Sequence, residues 1–219
     1  MVITELASKI EHTNLKPDAT IDDIIKLCNE AKQSGFFGVC INSQYIKIAK
    51  EQLRGSKCKI ITVVGFPLGA CISNMKAEET GQAIDMGADE VDMVISIGLL
   101  KSKKYDDVKN DIKGVVVAAK GHPVKVIIET ALLNETEKRK ACELAKIAGA
   151  TFVKTSTGFS KSGATVEDVK LMREIVGANM GIKAAGGIRD FDTARVMIEA
   201  GADRLGCSSS VKIVAKEEV

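Results

Sequence analysis

The sequence holds 219 residues with a formal net charge of +2, 45% hydrophobic and 27% charged, and its only aromatics are six Phe and two Tyr. A charge so near balance gives no basis for a nucleic-acid partner or a membrane surface, and so few aromatics leave no platform for stacked bases. Six scattered cysteines without a C-x-x-C pair point to free thiols in a reducing cytoplasm. The two histidines, His12 and His122, stand apart from any ligand-spaced cluster, so no metal centre is expected.

In chain order, the N-terminal stretch MVITELASKIEHTNLKPDAT has no apolar run of signal-peptide length and is expected to open with a short helix. No segment approaches the length and apolarity of a membrane span. β-rich runs follow at residues 10–15, 37–42, 59–65, 91–96, 124–129, 151–155, 181–185 and 203–207. Helical patterns separate them at 21–34, 74–87, 105–119, 135–148, 165–177 and 190–200. Four junctions repeat one device, a glycine that ends a helix just before a strand: SGFFGVCIN, MGADEVDMVIS, AGATFVKTS and AGADRLGCSS. Alternating βα units imply a parallel sheet with right-handed crossovers. An open doubly wound sheet would carry a glycine-rich dinucleotide turn near its first strand, and there is none. The expected fold is therefore an α/β protein, a single (β/α)8 TIM barrel domain over residues 1–219.

In such a barrel the chemistry sits at the carboxyl ends of the strands. Those ends are polar here: Asn42, Glu129, Lys154, Lys183 and the serines at 208–210. Side chains alternate across a strand. If Lys154 points inward so does Phe152, while Val153 meets the helices. In EVDMVIS, Val91, Met93 and Ile95 face outward, which turns Asp92 and Val94 toward the axis. Lys183, between Ile182 and Ala184, joins them. Two ammonium groups about 5 Å apart would repel by roughly 3 kcal/mol at an effective dielectric near 20, leaving one amine neutral and nucleophilic near pH 7. The loops AAGGIRD and LGCSSS follow the last two strands, where barrel enzymes commonly hold phosphate, with Asp190 or Asp192 as the cap of the next helix.

FVKTSTGF (152–159), EVDMVIS (90–96), VVGFPLG (63–69), KVIIET (125–130) and IKAAGGIR (182–189), with IEHTNLKPDAT (10–20) and VCIN (39–42), resemble the deoxyribose-phosphate aldolase family nearly end to end. The resemblance implies a class I aldolase, a carbon–carbon lyase. It would cleave 2-deoxy-D-ribose 5-phosphate reversibly to acetaldehyde and D-glyceraldehyde 3-phosphate, with no cofactor. It implies Lys154 as the Schiff-base lysine, Lys183 as the lysine that perturbs it, and Asp92 as the proton-relay carboxylate. Gly158, Gly186, Gly187, Gly206, Ser208 and Ser209 would hold the substrate phosphate. The partners are then a phosphosugar and acetaldehyde, with a homo-oligomer, dimer or tetramer, left open. Glu11, Ser96, Phe159, Cys207 and Ser210 depart from the family pattern, and the longer tail ending in Tyr of some members is missing. Another Schiff-base aldolase or transaldolase, or a phosphosugar-binding barrel without catalysis, remain the alternatives.

Overall fold

The computed structural model, described for residues 2–215, closes eight parallel strands into a barrel in sequence order, with β1 paired to β8. The tail at 216–219 lies outside the described residues. The strands are β1 (Ile10–Asn14), β2 (Gly38–Ile41), β3 (Lys59–Val64), β4 (Glu90–Val94), β5 (Val124–Ile127), β6 (Phe152–Lys154), β7 (Gly181–Ala185) and β8 (Arg204–Cys207). Around them run α1 (Ile3–Ala7), α2 (Ile21–Ser34), α3 (Ile46–Gln52), α4 (Ser73–Met86), α5 (Ile97–Lys101), α6 (Tyr105–Ala118), α7 (Glu135–Ile147), α8 (Val166–Val176), α9 (Phe191–Glu199) and α10 (Ser210–Val214). No helix among the described residues is long and apolar enough to cross a membrane.

Local chemistry accounts for the helix ends. Thr20 accepts the Asp23 amide while the Asp23 carboxylate accepts the Thr20 amide, a reciprocal cap that opens α2. Along α2, Ile24, Leu27, Cys28 and Ala31 recur at helical spacing and bury one stripe against the barrel. Gly35 closes it at φ 66°, a left-handed conformation that costs a side chain dearly. The junction glycines at 87, 149 and 201 are left-handed too, as the repeated pattern anticipates. Asp190, rather than Asp192, caps α9 by accepting the Thr193 amide at 2.7 Å.

The main core lies between the strands and the helical ring. Val91, Met93 and Ile95, Val153, and Ile182 with Ala184 all belong to it, which confirms the outward face read from the alternation. A second, smaller cluster of Leu15, Cys40, Ile61 and Val63, joined by Phe37 and Phe66, fills one side of the interior. Outside the axis, a buried ion pair braces the end of β4. Lys76 of α4 is fully buried and donates to Asp111 of α6 at 2.6 Å, to the Val94 carbonyl at 3.0 Å and to Ser96 at 3.2 Å.

Two details differ from expectation. Ile95, Ser96, Ile128 and Glu129 lie beyond their strands, because the apolar runs continue past the point where the chain turns. Glu129 makes that turn in a left-handed conformation at φ 55°. Helices α3 and α5 are too short to show helical periodicity over a window that separates it from noise.

Candidate active site

Three strands deliver the amines. Register pairs Lys154 of β6 with Lys183 of β7, and Asp92 of β4 with Lys125 of β5. Lys154 and Lys183 both donate to Asp92 Oδ2, at 2.8 and 2.7 Å. Their nitrogens therefore lie within about 5.5 Å of one another, close enough for strong coupling. The three residues expected to meet do meet.

Three further residues join them that sequence reasoning left out of the site. Lys125 donates to Asp92 Oδ1 at 2.9 Å and ion-pairs with Glu90 at 2.5 Å and Glu11 at 3.4 Å. Glu11 also accepts from Lys183. The result is an almost dry cluster of three lysine amines and three acidic side chains, with no residue in it more than 7% exposed. Cys40 adds a thiol whose sulfur lies within 4.8 Å of Glu11 and Asp92 oxygens. Burial pushes that thiol up, although Lys183 beside it works the other way. A signal for Lys125 was present, since it is a charged residue flanked by Val124 and Val126 in a strand; Glu11, between Ile10 and His12, carried a weaker one.

Two lysines facing each other alone would depress one another, but here Asp92 and Glu11 sit among them and set the outcome for Lys183. Burial opposes the charge on Lys183, yet Asp92 and then Glu11 outweigh it and hold its proton affinity well above the ordinary lysine value. Lys125 behaves alike: burial is overcome by Asp92, then Glu11, and its proton affinity rises. For Asp92, burial would raise the carboxyl, but Lys125, Lys154 and Lys183 together hold it well below the carboxylate range. Lys183 is therefore a fixed cation in the resting site, and Glu11 is one of its anchors.

Above this cluster opens a cavity of about 380 Å3. Lys154, 2% exposed, lines it, whereas Lys125 and Lys183 are fully buried beneath. Gly158, Gly186, Gly187, Gly206 and Ser208 also line it, but Ser209 does not: it faces a neighbouring cleft with His12 and Lys212. Ser208 borders both clefts, and the chain enters α10 immediately after Ser209. Lys16 and Arg189, not singled out from the sequence, add two cations to the cavity wall. Phe159 stands edge-on to Phe66, with ring centroids 5.4 Å apart, and makes one flank apolar.

The loops are tied down by polar contacts. Glu129 accepts from the Thr157 hydroxyl and amide, which fixes the chain three residues past Lys154. Asn42 does not line the cavity; its side-chain amide donates to the carbonyl of Lys16, which does, at 3.5 Å. His12 is not isolated: its ring nitrogens lie 2.8 Å from Glu30 and 2.9 Å from Ser210, whose hydroxyl donates to the Cys207 carbonyl. That link joins β1 to the start of α10, between residues 198 positions apart in the chain. Two glycines shape the cavity floor, one by its backbone conformation and one by its lack of a side chain. Gly186 adopts φ 85°, and a Cβ added there would lie 3.0 Å from Gly163 Cα, while Gly206 leaves room for the Lys183 side chain.

Residues 6–216 match the DeoC/LacD family aldolases, and the chain belongs to that family. A deoxyribose-phosphate aldolase of Thermococcus gammatolerans is 60% identical over 218 residues, covering 98% of this chain and 97% of its own. One from Thermotoga maritima is 58% identical over 212 residues, covering 97% and 86%. Among solved structures, the tetrameric deoxyribose phosphate aldolase of Aeropyrum pernix superposes with a TM-score of 0.91 at 33% identity, covering 97% of this chain and 90% of its own.

Proposed function

We propose that this barrel is a class I deoxyribose-phosphate aldolase and that Lys154 is its Schiff-base nucleophile. The observation that carries the assignment is geometric. Of the three lysines gathered on Asp92, Lys154 alone among the described residues lines the open cavity. Its partners Lys125 and Lys183 are sealed below and held charged.

The neutral amine of Lys154 attacks C1 of open-chain 2-deoxy-D-ribose 5-phosphate, and water leaves to give an iminium. Removal of the C3 hydroxyl proton breaks the C2–C3 bond, releases D-glyceraldehyde 3-phosphate and places the electron pair in an enamine. Protonation at C2 and hydrolysis then free acetaldehyde. Asp92 touches both Lys154 and Lys183 and is placed to pass protons between them. Gly186, Gly187 and Ser208, with Lys16 and Arg189, form the wall proposed to hold the phosphate. Anchoring that remote end positions the reacting carbons. The same reading takes residues 1–219 as one domain acting in the cytoplasm. The tetrameric Aeropyrum relative supports assembly as a homo-oligomer.

The test is borohydride trapping with substrate, followed by peptide mass analysis. The label should fall on Lys154, and Lys154→Arg should abolish both label and turnover, because a guanidinium cannot form the imine. A label on Lys183 would reverse the assignment.

A further inference from the structure

Lys125 is the buried cation that the reaction scheme leaves without a task. It lies one layer below Lys154, since Ile127 of its strand pairs with Lys154 and Lys125 itself with Phe152. It lines no part of the cavity and touches no position a substrate could occupy. Yet it divides Asp92 in two: Oδ1 belongs to Lys125, and Oδ2 is shared by Lys154 and Lys183. It also draws on Glu11 Oε1, the oxygen that Lys183 does not use.

We propose that Lys125, backed by Glu90, is a positioning residue that sets the pH at which Lys154 becomes available to form an imine. This rests on the Schiff-base reading above. The groups around Lys154 are Asp92 from β4, Lys183 from β7, Glu11 from β1, Cys40 from β2 and Lys125 from β5. Glu129 follows β5 and is occupied by Thr157, β3 presents apolar side chains, and β8 presents Gly206. Arg204 of β8 stacks over Phe37 on the floor side. Without Lys125, Asp92 and Glu11 would face only two ammonium groups, and their field would favour a proton on Lys154. The third cation offsets that field. Glu90, 7% exposed at the start of β4, pairs with Lys125 from below and partly offsets it in turn. The two residues therefore act on Lys154 with opposite signs.

The experiment traps acetaldehyde on the full chain with borohydride across a pH series, for the parent, Lys125→Met, Lys125→Arg and Glu90→Gln. Acetaldehyde carries no phosphate, so the readout is independent of the anion wall. Lys125→Met should move the trapping midpoint up by about one pH unit or more, from one charge removed at short range. Glu90→Gln should move it down by less, and Lys125→Arg should leave it near the parent. A merely structural role would not shift the two midpoints in opposite directions. If Lys125→Met fails to fold, the Glu90→Gln shift decides alone. Unmoved midpoints, or midpoints moving the same way, overturn this inference while leaving the imine intact. Absence of trapping in the parent overturns the imine reading, and this inference with it.

Discussion

Gly206→Ala tests what the β8 glycine does. A Cβ built there would lie 2.9 Å from Lys183 Cε and 3.0 Å from Ala185 Cβ. Carbon atoms rest at about 3.5–4.0 Å, so both neighbours must yield by roughly half an ångström or more. Neither yields freely. Ala185 is fixed by its pairing with Gly206 in the ladder, and Lys183 is fully buried with its nitrogen bound to Glu11 and Asp92. Overpacking of this kind costs about 1–3 kcal/mol. For a chain of this size, about 2 kcal/mol corresponds to a fall in Tm of about 4–8 °C. Displacing Lys183 from Asp92 should lower kcat about tenfold or more, since small misplacements of a reacting group are costly. The assay compares phosphorylated and unphosphorylated 2-deoxyribose, and both should lose equally. Gly187→Ala is the contrast: its backbone is also left-handed, at φ 80°, but a Cβ there meets no atom within 4 Å and projects into open space. Its loss should fall on the phosphorylated sugar. If Gly206→Ala spares the unphosphorylated sugar, the residue acts through the phosphate and not through Lys183, and the packing argument fails.

Two other outcomes follow from the buried charges. Asp92 is held well below the ordinary carboxyl value of 3.8, so its contribution to stability is complete above that pH and is lost as pH falls through the depressed value. Lys183, raised well above 10.5, contributes fully below that pH and loses its contribution as pH rises through the raised value. The stability gap between the parent and Asp92→Asn should therefore be flat in between and narrow by about 1.4 kcal/mol per unit below 3.8. Urea unfolding across that range measures it, and a gap that stays constant near pH 3 would contradict an ionised Asp92. Away from the site, Lys76→Met strands the fully buried Asp111 and should cost about 3–5 kcal/mol. Adding Asp111→Leu should recover most of that loss, and a double variant as unstable as the single one would show that the pair is not the cause.

The sequence by itself determined the barrel and the direction of its side chains. Helical stripes ending in glycine, each followed by a short β-branched run, allow few other arrangements of parallel strands. The two-residue period then decides which residues point to the axis, so Lys154, Lys183 and Asp92 could be placed inside without coordinates. Depth along the axis is another matter. Parity says that Lys125 and Glu11 face inward, but only the stagger between neighbouring strands puts them level with Asp92. That stagger depends on how the barrel closes, through the pairing of β1 with β8 across the whole chain. The same closure brings Ser210 to His12 and directs Ser208, but not Ser209, into the cavity. Repulsion between two lysines could be read from their positions. The carboxylates that reverse its effect on Lys183 are assembled only by the closed barrel, because Coulomb energy depends on distances that a linear sequence does not contain.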